Sequence, residues 1–299
     1  MSASPLKAGL IQQACTTNRD TNLDATCSAI LQAAASGARL IVLQELFTNR
    51  YFCQSTCQKH FQLAEAIPGP TVEKLAALAA QLKVVIVTPI FERRAAGLYH
   101  NTAVVIETDG SIAGKYRKMH IPDDPGYHEK YYFTPGDLGF TPIDTSLGRL
   151  GILICWDQWF PEAARLMALA GAEILIYPTA IGWDPGDTPA EQARQLDAWQ
   201  TIQRGHAIAN ALPLISCNRT GFEDAPENNR SGINFWGSSF ICGPQGEILA
   251  QAPANESTLL LAEITPGNTE LVRQTWPFLR DRRTDAYTGL AQILMAKHP

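Results

Sequence analysis

Short apolar runs alternate with helix-like segments along most of this chain, and that order points to an α/β fold. "LKAGLIQQA" reads as a strand. "DTNLDATCSAILQAAASGA" reads as a helix: Asp20 caps its start, Leu23, Cys27, Ile30 and Leu31 keep helical spacing, and Gly37 ends it. "RLIVLQE" is a buried strand with a polar end at Gln44 and Glu45, "PTVEKLAALAAQL" a helix opened by Pro70, and "KVVIVTPIFE" the next strand. "LYHNTAVVIETDGSIAGKYRK" reads as a hairpin turning at Asp109-Gly110, so the sheet is not purely parallel. After the Pro/Gly-rich loop "HIPDDPGYHEKYYFTPGDLGF", a strand ends at Cys155, "PEAARLMALAGA" forms a helix and "EILIYPT" a strand. That unit implies a right-handed crossover. "AEQARQLDAWQTIQRGHAIAN" is a long helix and "ALPLISCN" a strand; "NFWGSSFICGPQGEILAQA" turns as a hairpin around Pro244-Gly246, and "STLLLAEI" is the last strand. With no linker-like segment, the expectation is one α/β domain over residues 1–299, with mixed sheets and helices outside. The aromatic, polar stretch from about residue 266 to 299 reads as a tail that packs on a neighbouring subunit.

Composition narrows the function classes. The chain has 299 residues, 45% hydrophobic and 18% charged, enough for a large core. The net charge of -5 and the lack of a basic stripe argue against nucleic acid as a partner. No apolar run is long enough to span a bilayer, and no signal-peptide pattern opens the chain. Seven scattered cysteines predict a reducing, cytoplasmic setting rather than a disulfide framework. Cys53, Cys57 and His60 stand close in "CQSTCQKH", but their spacing is not a zinc pattern, so no metal is expected.

The residues with chemistry in them stand at the ends of the apolar runs. Cys155 sits where a buried strand stops and a helix is about to start. A helix N-terminus or a nearby cation favours the thiolate, which is the reactive form. The alternative is an inert core thiol, and Cys155 alone does not decide. Glu45 closes "LIVLQE"; a partly desolvated carboxylate there makes a general base, a solvated one does nothing. Lys118 follows "IAGKYR", either as a surface lysine or as a cation that favours a thiolate and binds an oxyanion. None of the six histidines stands where a nucleophile's partner is expected. Three strand ends can meet at one sheet edge, where α/β active sites collect.

In "LIVLQELF", "YRKMHIPD" and "GILICWDQWFPE" the chain resembles the nitrilase superfamily of carbon-nitrogen hydrolases. The resemblance implies a four-layer α-β-β-α sandwich. It also implies Glu45 as base, Lys118 as oxyanion-stabilising cation, Cys155 as nucleophile, and Glu129 of "GYHEKYYF" beside them, with no metal or organic cofactor. "CWDQWFPEAARLMALAGAEILIYPTAIGWDP", "HIPDDPGYHEKYYFTPGD" and "FLRDRR" look like the branch acting on N-carbamoylputrescine. That implies a cationic ureido substrate. Tyr51, Trp156, Ala180 and Trp183 are then the expected pocket residues. Asp123 and Asp184 are the favoured partners of the substrate ammonium, ahead of Asp124 and Asp187. An anionic tail, as in a β-ureidopropionase-like enzyme, would instead need an arginine such as Arg219 or Arg230, in the loop expected after "ALPLISCN". A binding protein with a spent site and a thiol redox protein are the rivals from other classes; no Cys-x-x-Cys accompanies Cys155, which counts against the second. Family members associate into homo-oligomers, and the same is expected here.

Overall fold

The computed structural model describes residues 5–225 and 230–294. Twelve strands build two six-stranded sheets. In chain order they are β1 (Leu6–Gln12), β2 (Leu40–Leu43), β3 (Val85–Ala95), β4 (Leu98–Ile106), β5 (Ile112–Arg117), β6 (Ile143–Thr145), β7 (Gly148–Ile152), β8 (Ile174–Pro178), β9 (Leu214–Cys217), β10 (Phe240–Cys242), β11 (Ile248–Gln251) and β12 (Thr258–Ile264). The first sheet runs β12-β1-β2-β3-β4-β5 and the second β11-β10-β9-β8-β7-β6. Each has a parallel centre, β1-β2-β3 in one and β7-β8-β9 in the other. Each also has antiparallel flanks.

The apolar runs are nearly continuous because both faces of each sheet are covered. Leu40 and Val42 of β2, Val85 and Val87 of β3, and Ala103 and Val105 of β4 point into the core shared with the second sheet. The alternate residues Ile41, Leu43, Ile86, Val104 and Ile106 pack under helices α1 (Arg19–Ala35) and α2 (Pro70–Leu82). On the far side, α3 (Pro161–Leu169) and α4 (Pro189–Asn210) cover the second sheet with Ala163, Ala164, Met167, Trp199 and Ala207. The result is the expected α-β-β-α sandwich. Gly9 lets α1 approach β1 closely: a Cβ there would stand 3.3 Å from that of Ala33.

Three local expectations need correction. Asn18, not Asp20, caps α1, accepting from the Thr21 amide at 2.9 Å, and Asp20 lies in the first turn. The strand expected to end at Cys155 ends at Ile152; Cys155 begins a 3-10 turn, Cys155–Trp159, and α3 starts at Pro161 as the sequence predicts. The segment after β9 is not plain loop; Thr220–Ala225, Arg230–Trp236 and Gly182–Trp183 form a separate three-stranded sheet beside the site. A final helix, α5 (Pro266–Thr275), precedes the 3-10 turns of the C-terminal segment, and no described helix is long and apolar enough to cross a membrane.

Candidate active site

The parallel strands β2 and β7 and the antiparallel β5 end at one edge of the sandwich, and Glu45, Cys155 and Lys118 leave those ends. The two sheets are tied there: the Glu45 amide donates to the Thr179 carbonyl at 3.3 Å, just beyond β8. Lys118 Nζ lies 2.9 Å from Glu45 Oε1 and 2.6 Å from Glu129 Oε2, and all three side chains are wholly buried. Asn101 Nδ2 donates to Glu45 Oε1 at 2.6 Å, and Tyr51 Oη to Glu129 Oε1 at 2.6 Å. Glu45 Oε2 has no hydrogen-bond partner among the described residues. A buried acceptor in that state is costly, and Oε2 is the Glu45 oxygen with no competing donor among the described residues.

Cys155 is buried, and its Sγ lies 3.7 Å from the Ala180 carbonyl. Its φ is +44°, a left-handed conformation that non-glycine residues seldom adopt, and Leu46, next to Glu45, has φ +50°. Such strain persists only where the surroundings enforce it. For Cys155 they include Asp157, which accepts from the Ile154 amide at 2.9 Å, the His120 amide at 3.0 Å and Tyr116 Oη at 2.8 Å.

Electrostatics separate the roles. Burial, and next the Glu45 carboxylate, push the Cys155 thiol well above its ordinary range, against the pull of Lys118. That favours the neutral thiol over the thiolate, so a base would be needed for Cys155 to act as a nucleophile. Burial opposes a charge on Lys118, but Glu129 and Glu45 override it and hold the ammonium well above the usual lysine value. Burial pushes Glu129 up to about 7, with Lys118 pulling down and Glu45 pushing up.

A cavity of about 350 Å³ opens onto Cys155. Trp156, Trp159, Trp236, Ile181 and Tyr127 form its apolar wall. Asp124 is the one carboxylate, and no lysine or arginine is found, among the described residues that line it. Of the residues picked from sequence, Trp156 lines this cavity and Ala180 meets the thiol. Tyr51 stands behind, its ring tilted against that of Tyr127 at 5.5 Å and its hydroxyl bonded to Glu129. Trp183 packs on Trp236 at 5.5 Å, with its indole N–H donating to the Gln192 carbonyl. Asp123 is exposed near His128, and Asp184 accepts from the Gly186 amide within its own turn; neither lines the cavity. Asp187 is likewise engaged, accepting from Gln195 Nε2. Arg219 is wholly buried outside the cavity, and the side chain of Arg230 lies outside the described residues. Sequence reasoning passed over Asn101 and Trp236, and weighed Arg219 only as a partner for an anionic tail, not as the buried group found here.

The carbon-nitrogen hydrolase family model matches residues 7–274. The chain belongs to the carbon-nitrogen hydrolase family. It is 46% identical to an N-carbamoylputrescine amidase of Solanum lycopersicum, over 95% of this chain and 94% of that protein. It is 42% identical to a citrullinase of Francisella tularensis, over 96% of this chain and 98% of that one. Among solved structures, a carbon-nitrogen hydrolase from Helicobacter pylori G27 superposes with a TM-score of 0.95 at 54% identity, covering 97% of this chain and all of that one. Nit3 of Saccharomyces cerevisiae, a nitrilase-superfamily member, superposes with a TM-score of 0.77 at 27% identity, covering 94% and 98%.

Proposed function

We propose that the protein hydrolyses N-carbamoylputrescine with water to putrescine, carbon dioxide and ammonia. The observation that carries this is the buried Glu45–Lys118–Glu129 cluster together with Cys155, which opens onto a cavity whose one lining carboxylate among the described residues is Asp124. The amidase names of relatives at 43–46% identity support the same substrate.

Glu45 takes the thiol proton as Cys155 attacks the ureido carbon. Lys118 and the Trp156 amide hold the oxyanion; losing one such donor typically costs about 100- to 1000-fold in rate. Glu45 passes its proton to the departing ammonia, and a carbamoyl thioester remains. Glu45 then activates water, the thioester C–S bond breaks, and the released carbamate falls to amine and carbon dioxide. Glu129 holds Lys118 in line, and the indoles of Trp156, Trp159 and Trp236 cover the tetramethylene chain. A buried ammonium needs a partner, and Asp124 takes that place ahead of Asp123 and Asp184. No step calls for a metal or organic cofactor. The enzyme acts in the cytoplasm, in polyamine synthesis, as a homo-oligomer.

Citrulline is the second substrate to weigh, because one relative is named citrullinase at 42% identity. It adds a carboxylate, which would need a cation that the cavity's described lining lacks. The same lack weighs against N-carbamoyl-β-alanine. The test is ammonia release from the three compounds by wild type and Cys155→Ala. N-carbamoylputrescine should be preferred and the variant inactive. Preference for either carboxylate-bearing compound would overturn the tail assignment. An active Cys155→Ala would overturn the mechanism. Release from none of them, with a Cys155 inert to iodoacetamide, would favour a binding protein.

A further inference from the structure

One buried ion pair outside the cavity bears on both carboxylates that flank Lys118. Arg219 and Glu223 lie where the chain leaves β9 for the three-stranded sheet, with Arg219 Nη1 2.6 Å from Glu223 Oε1 and both side chains almost wholly inaccessible. The other Nη donors of the guanidinium go to backbone, while Nε has no partner among the described residues. Nη2 donates to the carbonyls of Glu45 at 3.1 Å and Leu46 at 2.9 Å, and Nη1 to that of Asn49 at 2.9 Å. Glu223 Oε2 accepts from the Tyr51 amide at 2.6 Å. The pair therefore grips four residues of the seven-residue turn from Glu45 to Tyr51. That turn contains Leu46 with φ +50°.

The chemistry explains why a charged pair stands there. The Glu45 and Leu46 carbonyls converge on one nitrogen, an arrangement that a cation stabilises and an apolar side chain would leave unsatisfied. A buried ion pair adds little net stability over an apolar replacement, because desolvation offsets its attraction. What it does fix is geometry. Glu45 carries the carboxylate 2.9 Å from Lys118, and Tyr51 carries the hydroxyl 2.6 Å from Glu129. We propose that the Arg219–Glu223 pair is a positioning device, which sets where Glu45 stands and, through Tyr51, where Glu129 stands on the other side of Lys118. This rests on the roles given above to Glu45, Lys118 and Glu129.

Arg219→Lys keeps the charge but loses the fork, and Glu223→Gln keeps the shape but loses the charge. Each would be assayed for kcat, KM and pH–rate profile, with kcat expressed per site titrated by iodoacetamide at Cys155. The folded fraction is isolated by size exclusion before titration, because the thiols of misfolded chains would also be alkylated. A displacement of about 1 Å at the reacting groups costs roughly 100-fold. We expect kcat per titrated site to fall about 10- to 100-fold. KM should change little, because neither residue lines the cavity, and the acid limb of the profile should move. Unchanged kcat per titrated site, or a reduced kcat with the wild-type acid limb, would overturn the proposal. If Arg219→Lys yields no folded protein, Glu223→Gln decides by the same readouts. Glu45→Gln, run in parallel, isolates the premise: if it remains active, the base assignment itself has failed.

Discussion

At the residue scale the most informative group is Glu129. Both of its oxygens accept from donors, one from the Lys118 ammonium and one from Tyr51 Oη, so the ionised form fits the bonds around it. Burial nonetheless pushes it up to about 7. The sign follows: above that pH the carboxylate holds Lys118, and below it the proton weakens the hold. We therefore expect kcat/KM to fall as pH drops through about 7, and Glu129→Gln to flatten that limb while lowering the rate. The Tyr51 hydrogen bond pulls Glu129 down, so Tyr51→Phe should move the limb to higher pH. A limb that stays put in both variants would assign it to another group. Glu45, Lys118 and Cys155 could be singled out in the sequence because each follows a β-type run, and the resemblance to the nitrilase superfamily supplied their expected roles. The places of Asn101 and Arg219 could not be read there. Asn101 sits inside "YHNTAVVI", and its partner Glu45 is 56 residues away; Arg219 reaches the Glu45 carbonyl across 174. Such roles arise only when the two sheets stack.

At the scale of elements, the helices and the hairpins carried clear signals. Pro70 opens α2 and Pro161 opens α3; Gly110, with φ +86°, allows the turn between β4 and β5. The division of the strands between two sheets had no signal. "RLIVLQE" and "EILIYPT" read alike, because each strand is buried on both faces. The 3-10 turn at Cys155 is five residues long, too short to show a period. Segment 220–236 mixes glycine, asparagine and acids, which hid its strands. The loop after β5 holds a position that only glycine suits. A Cβ on Gly136 would lie 2.1 Å from the Arg117 carbonyl oxygen, and the Gly136 amide donates to the Lys118 carbonyl at 2.8 Å. Gly136→Ala must push the end of β5 away. We expect a stability loss of about 1–3 kcal/mol by urea denaturation, with a lower kcat as Lys118 shifts. Wild-type values for both would mean that the loop yields without moving the lysine.

At the scale of the molecule, the C-terminal segment leaves apolar surface uncovered by the described residues. Leu271 is 63% exposed, Leu290 66% and Leu294 86%, and Trp276 and Phe278 pack at a tilt, 5.8 Å apart, while each stays partly exposed. Leu166 and Leu169 on α3 add two further exposed apolar side chains, 45% and 48% accessible. Single exposed leucines are ordinary, but a run of them with aromatics marks an interaction surface. The tail does not line the cavity, whose described residues all fall between Pro122 and Trp236. Covering this surface with a second copy of the chain would bury it without disturbing the chemistry. We expect the full chain to sediment as a dimer or larger assembly at micromolar concentration, and a chain lacking residues 276–299 to sediment as a smaller species. Because Glu45, Lys118 and Cys155 stay in place in that shortened chain, iodoacetamide should still titrate one active-site thiol per subunit. A full-length chain that sediments as a monomer would mean that the exposed leucines and aromatics of residues 271–294 are covered by something other than this chain.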